Sequence, residues 1–261
     1  MRPTAYRRNA RGVRDRQAFE GVRMQAGCFP PATLKPRSPT SWVSLAKASA
    51  AGTPDGATSG RLPAGWPRTG PRIRAAARRR RAAIVFWDES GASLLPVTRR
   101  TWAPRGRTPV ICHRFKWKRV SMAAGLCYGS RGGGAQLAFH QQLGAYDTDT
   151  LIGALQGLRQ FLGGQKATLL WDGLPAHRSK MMRAWLRRQR SWLVVERLPA
   201  YAPDLNPVEP LWSNLKGVEL VNLAGDTLDD VVAAAERGIH RVRHTHHLAY
   251  SFLRYCGLSL W

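Results

Sequence analysis

Hydrophobic positions change their spacing along this chain, and each change predicts a different element. Through residue 82 no helical or alternating period is sustained. Ala, Gly, Pro, Ser and Arg dominate there, and nine of the 17 prolines fall in it. Such a segment buries too little apolar surface to offset the entropy of ordering it, so residues 1–82 are expected to form a disordered arm, with order beginning at about Ala82. The run Ala83-Ile84-Val85-Phe86-Trp87 is then continuously apolar and stops at Asp88-Glu89-Ser90-Gly91, which reads as a buried strand entering a turn. Leu94-Leu95 continuing to Arg99-Arg100 suggests a further strand, with a turn at Pro104-Arg105-Gly106. Lys118 to Tyr128 reads as a strand, residues 129–134 as a glycine-rich hairpin loop, and Ala135 to Gln142 as the return. Three antiparallel strands are the simplest reading of this part.

Beyond that the period becomes helical. Asp147-Thr148-Asp149-Thr150 supplies N-caps, Leu151, Ile152, Leu155, Leu158 and Leu162 recur at helical spacing, and Gly163-Gly164 ends the helix. Ala167 to Trp171 is another buried strand, Ser179 to Gln189 a basic helix, and Trp192 to Val195 a strand. A proline-punctuated loop, Pro199 to Pro207, leads to a helix over Glu209–Lys216. After Asp226-Thr227 a last helical region runs through Val231, Val232 and Ile239. The expected class is α/β: a mixed sheet of three antiparallel strands followed by alternating helix and strand, flanked by helices. Residues 83–261 form one folded domain behind the arm.

Composition adds a partner. The 261 residues carry 41 Lys+Arg against 16 Asp+Glu, a formal charge of +25, which points to a polyanion, nucleic acid before membrane. Residues 1–82 hold 18 of the basic and 3 of the acidic side chains, so more than half of the excess lies in the arm. No stretch approaches the roughly 18 apolar residues of a membrane helix, and the arginine-rich start is not a secretory signal. Cys28, Cys112, Cys127 and Cys256 are too scattered for a disulfide framework or a zinc ribbon, and a reducing cytosol is the default.

Acidic residues are scarce in the domain, which makes their places informative. Asp88 follows the first strand, Asp172 follows the strand at 167–171, and Glu209 opens a helix after a loop held by Pro203, Pro207 and Pro210. Adjacent strand ends form ligand crevices, and carboxylates converging in one repel each other unless cations intervene. Hard oxygen ligands select Mg²⁺ or Mn²⁺. Two such ions about 3.5–4 Å apart suit in-line displacement at a phosphodiester. Taken singly, each aspartate reads equally well as a turn or cap residue.

Four motifs then carry a resemblance: Phe86-Trp87-Asp88-Glu89-Ser90-Gly91; Arg100-Thr101-Trp102-Ala103-Pro104-Arg105-Gly106; Trp171-Asp172-Gly173-Leu174-Pro175-Ala176-His177; and Leu198 through Trp212, with Tyr201-Ala202-Pro203-Asp204-Leu205-Asn206-Pro207-Val208-Glu209 at its centre. From about residue 83 to 260 the chain resembles the DDE transposases of bacterial insertion sequences in the mariner superfamily. The resemblance implies a ribonuclease-H-like fold, with the positions of Asp88, Asp172 and Glu209 holding two Mg²⁺ or Mn²⁺ ions as the catalytic set. The 36 residues between Asp172 and Glu209 suit that family. It also implies hydrolysis of double-stranded DNA at element ends and attack by the freed 3′-hydroxyl on target DNA, usually at a TA dinucleotide. Further implications are a homodimer when two ends are synapsed and a cytoplasmic, nucleoid-associated bacterial setting. Asn206 and Pro207 would position Glu209. The alternative is an inactive or accessory DNA-binding remnant of a split or truncated element, because no N-terminal helix-turn-helix module is recognisable. A general nuclease of the same fold would share the site without strand transfer.

His177, five residues past Asp172, is expected either behind the metal ligands or as a cap or surface residue. Glu89 should point away from Asp88 in a continuing strand and is left out of the site. Arg99, Arg100, Arg105, Lys116, Lys118, Arg119, Arg178 and Lys180 are candidate phosphate contacts. His240, His244, His246 and His247 lack the partners of a zinc pattern and read as a basic helix end. The glycines at 132–134 are not a phosphate loop, since no Gly-Lys-Ser/Thr follows.

Overall fold

In the computed structural model the described residues are 66–259, apart from 106, 114–117, 133 and 200–201, together with two short strand segments at 19–20 and 23–26. The rest of the predicted arm lies outside them. Within 66–82 the expectation of disorder is corrected: Trp66–Arg80 is a helix, α1. It is rich in arginine and holds Pro71, which conceals the signal, but Ile73 and Ala77 stand one turn apart and are both buried in the core.

Five strands make the central sheet: β1 (Ala83–Ser93), β2 (Arg119–Tyr128), β3 (Ala135–Leu143), β4 (Ala167–Trp171) and β5 (Leu193–Arg197). Their order is β3-β2-β1-β4-β5. The first three pair antiparallel, while β1 with β4 and β4 with β5 pair parallel. This is the mixed, ribonuclease-H-like arrangement expected. Two details differ. The first strand does not end at Trp87 but continues to Ser93, because β2 pairs with it from Ile84 through Ser93. No strand forms over Leu94–Arg100, where only Val97 bridges to Val221.

Helices cover both faces. On one lie α2 (Thr148–Phe161) and α3 (Lys180–Arg188). They pack Leu151, Leu155, Leu158 and Met182 onto Val85, Trp87, Leu169 and Trp171. A capping box at Asp147 and Thr150 starts α2, and each buried leucine contributes on the order of 2 kcal/mol. On the other face lie α1, α4 (Val208–Val218), α5 (Leu228–His244) and α6 (His246–Tyr255). Their Val208, Leu211, Trp212, Ile239 and Phe252 meet Ile84, Phe86, Met122 and Leu126. The last helical region expected, through Val231, Val232 and Ile239, is α5, and a further helix, α6, follows it beyond Thr245. Strand alternation assigns Asp88 to the α4 side and Glu89 to the α2–α3 side. Among the described residues no helix is long and apolar enough to cross a membrane, Cys112, Cys127 and Cys256 are free, and burial pushes the thiols of Cys127 and Cys256 up to about 12.

Candidate metal centre

The parallel register of β1 with β4 ends at Phe86 and Leu170, and the carboxylates gather just past that point. Asp88 is inside β1, opposite Ala124 of β2, not at a strand end as its sequence context suggested. It is 8% exposed, and the indole Nε1 of Trp212 donates to its Oδ2 at 2.9 Å. Burial, reinforced by the negative charges of Glu209 and Glu89, raises its pKa from 3.8 to about 8, despite the Trp212 bond and with a smaller push from Asp172.

Asp172 follows β4 and is half-buried. Glu209 is exposed in the first turn of α4. That turn is built by the loop before it: Asn206, 3% exposed, accepts the backbone N–H of Val208 on its side-chain oxygen at 3.2 Å and that of Glu209 on its carbonyl oxygen at 3.0 Å. Pro207 precedes the helix with φ −60°, a value its ring fixes in advance. The expected trio is therefore joined electrostatically at Asp88. Farther along α4, Lys216 donates from Nζ to Oγ of Ser90 at 2.7 Å, so α4 is tied to β1 at two successive positions of one strand face.

His177 is neither a surface histidine nor a helix cap. It is buried in a short 3₁₀ turn, Ala176–Arg178, and its ring stacks on Trp171 with centroids 3.7 Å apart. Nδ1 lies 2.6 Å from Oδ1 of Asp172 and 3.3 Å from that residue's carbonyl oxygen, while Nε2 lies 3.1 Å from Oε2 of Glu89. Burial lowers the ring's pKa, but the bonds to Asp172 and Glu89 outweigh it and bring it to about 9. Both ring nitrogens thus face carboxylate oxygens, an arrangement that favours the protonated ring.

Glu89 is the residue that sequence reasoning set aside. Its side chain does point away from Asp88, as expected, but that face of the sheet holds His177 and the Asp172 loop. Its Oε1 accepts from the indoles of Trp87 at 2.7 Å and Trp171 at 3.2 Å. The usable signal was the pair of tryptophans that end β4 and precede Asp88. Glu89, Asp172 and His177 each offer a ligand atom within 4.8 Å of the others.

Of the candidate phosphate contacts, Arg99, Arg100, Arg105, Lys118, Arg119, Arg178 and Lys180 are all exposed, and Lys116 lies outside the described residues. Arg178 ends the His177 turn and Lys180 opens α3 two residues later. Arg99 is bound through its backbone to Asn222, by bonds of 2.9 Å and 3.1 Å. His240 and His244 stack at 4.0 Å along α5, as a helix end rather than a ligand set.

The donor set fits divalent cations. Asp88, Asp172 and Glu209 offer only oxygen, and a cation would offset both the burial that chiefly raises the Asp88 pKa and the repulsion from the neighbouring carboxylates.

A family model described as "DDE superfamily endonuclease" matches residues 83–222, more than half of the chain. Among solved structures, the Mos1 transposase paired-end complex with left transposon end is similar at 18% identity and TM-score 0.44, over 75% of this chain and 66% of that one. The Mos1 mariner paired end complex with Mn is similar at 19% and 0.45, over 72% and 60%. The catalytic domain of Mos1 mariner transposase is similar at 16% and 0.38, over 73% and 91%. This chain thus spans less than two thirds of the chains in the two complexes. No curated protein matches the sequence significantly.

Proposed function

This chain belongs to the DDE superfamily of endonucleases, and from that premise we propose that it is a transposase catalytic domain, cutting DNA strands at element ends and joining the freed 3′-hydroxyl to target DNA. The observation that carries this reading is the buried Asp88 carboxyl, pushed up to about 8 by its burial and by the surrounding carboxylates. Asp88, Asp172 and Glu209 are the catalytic set and would hold two Mg²⁺ or Mn²⁺ ions. When bound, such ions activate the attacking oxygen and stabilise the leaving one.

The chain's own groups do the rest. Asp88 gives up its proton as the site is loaded, which couples binding to pH. Trp212 holds the Asp88 carboxylate in place, and Asn206 sets the first turn of α4 so that Glu209 needs little reordering. His177 stands behind Asp172. The exposed Arg99, Arg100, Arg105, Lys118, Arg119, Arg178 and Lys180, with Lys116, hold phosphates without reading sequence. The partner is double-stranded DNA, as element ends and as target, with a homodimer when two ends are synapsed. The setting is an insertion sequence acting at a bacterial nucleoid in the cytoplasm.

The test is to incubate the protein with end-bearing duplex and Mg²⁺ or Mn²⁺, beside Asp172→Ala. Cleavage and strand transfer by the wild type alone are expected. Cleavage that persists in Asp172→Ala overturns the assignment.

A further inference from the structure

Glu89, His177 and Asp172 form a chain of contacts that starts in the core and ends at the half-buried Asp172. Trp87 and Trp171 are essentially inaccessible, and both indole N–H groups converge on Oε1 of Glu89. The other oxygen, Oε2, takes Nε2 of His177. The imidazole is stacked on Trp171, so it cannot swing aside. Its Nδ1 meets Oδ1 of Asp172, which also accepts the backbone N–H of Leu174 at 3.4 Å. Every donor atom in the chain is therefore engaged except one: among the described residues, nothing is bonded to Oδ2 of Asp172.

We propose that Glu89 and His177 are positioning residues that fix the Asp172 carboxylate so that it offers a single oxygen, Oδ2, to the crevice it shares with Asp88. This rests on the reading of Asp172 as a metal ligand given above. The three side chains lie close enough to hold an ion themselves, but the contacts argue against it. Both ring nitrogens face carboxylate oxygens, and Glu89 already meets Trp87, Trp171 and His177, so an ion held by these three side chains would have to displace the contacts that fix them. What the arrangement supplies is restricted rotation. A half-exposed aspartate would otherwise lose rotamer entropy each time it bound an ion, and here that loss is taken in folding. Partners that orient a ligand in this way are typically worth 10-fold to 100-fold in metal affinity.

The full-length protein is titrated with Mn²⁺ without DNA, following free Mn²⁺ by electron paramagnetic resonance, and the bound ion is examined by pulsed methods for nitrogen coupling. Glu89→Ala should weaken Mn²⁺ binding about 10-fold or more. Glu89→Gln, whose amide oxygen still accepts the indoles and whose N–H₂ can donate to Nε2 of a neutral ring that keeps its Nδ1–H on Asp172, should recover most of that loss. The wild type should show no directly bonded nitrogen. Wild-type affinity in a folded Glu89→Ala overturns the proposal, as does Glu89→Gln as weak as Glu89→Ala, or a nitrogen coupling that vanishes in His177→Gln. If Glu89→Ala does not fold, the wild-type spectrum and Glu89→Gln decide. Asp172→Asn separates the two readings: unaltered Mn²⁺ binding in it rejects the ligand set itself, whereas its loss beside an unaffected Glu89→Ala rejects only the positioning.

Discussion

Trp212 and Asp88 meet where α4 lies on the sheet, the indole N–H donating to a carboxylate oxygen 2.9 Å away. Trp212 stands three residues after Glu209 on the same helix, so this bond fixes how the helix bearing one carboxylate sits on the strand bearing another. The placement of one acidic residue relative to the other is thereby set by core packing.

Trp212→Phe removes the donor and, because the ring is smaller, part of the core packing. It should lower stability by about 1–3 kcal/mol, read by urea denaturation. Because the bond lowers the Asp88 pKa, its loss should also move the midpoint of pH-dependent Mn²⁺ binding upward. An unmoved midpoint would show that the bond has no influence on the carboxyl.

Without metal, stability should fall as pH rises from about 4 to about 9. Asp88 titrates near 3.8 when unfolded and near 8 when folded, so between those values the folded chain holds a proton the unfolded chain lacks, and stability declines. His177, raised from 6.5 to about 9, adds a stabilisation that is complete below its unfolded value and lost as pH climbs through the folded one. Asp88→Asn should remove the first part only, gaining on the wild type as pH approaches about 8. Urea midpoints in EDTA across this range check it, and Mn²⁺ should flatten the wild-type decline.

Gly125 lies against Trp87: a Cβ there would come within 2.9 Å of Cε3 of the indole and 3.3 Å of Cγ1 of Val85. Gly125→Ala should cost about 1–3 kcal/mol and, by displacing the indole that holds Glu89, weaken Mn²⁺ binding as well. Gly91→Ala is the control, since its Cβ meets nothing nearer than 3.8 Å. Equal effects of the two in melts and Mn²⁺ titrations would refute the link.

Lys180, Arg183 and Arg187 are exposed at spacings of three and four along α3, one basic face leading away from Asp172. The pair Arg183→Glu with Arg187→Glu should weaken DNA binding at all sequences and reduce the slope of log affinity against log salt by roughly 2. Binding titrations at several salt concentrations measure it. A slope equal to that of the wild type would remove α3 from the interface.

The sheet and its flanking helices were legible because their signals are local: the apolar runs at 83–87 and 167–171, the capped leucine period of α2, and the prolines before α4. The Asp88, Asp172 and Glu209 motifs were legible as types and spacings. What escaped depends on partners distant in sequence. β1 extends through Asp88 to Ser93 only because β2 pairs along its whole length, and a run containing Glu, Ser and Gly gives no hint of that. Glu89 faces away from Asp88 as alternation requires, yet its value comes from Trp171 and His177, which lie 82 and 88 residues away. In α1, two apolar residues among many arginines suffice because the sheet provides the rest of the core.

The helices that follow the matched segment bear on the order in which the molecule is made. Val231, Ala235, Ile239, Val242, Phe252 and Leu253 belong to the same buried cluster as Phe86 and Met122, and Tyr128 of β2 donates its hydroxyl to the carbonyl of Ala249 at 2.8 Å. One face of the sheet stays only partly covered, by α1 and then α4, until residues up to about 258 have left the ribosome, whereas the α2–α3 face can close once Leu193 is out. The nascent chain therefore carries an incompletely covered sheet while the residues between Leu193 and Leu258 are made, an interval in which it is open to chaperones and to aggregation.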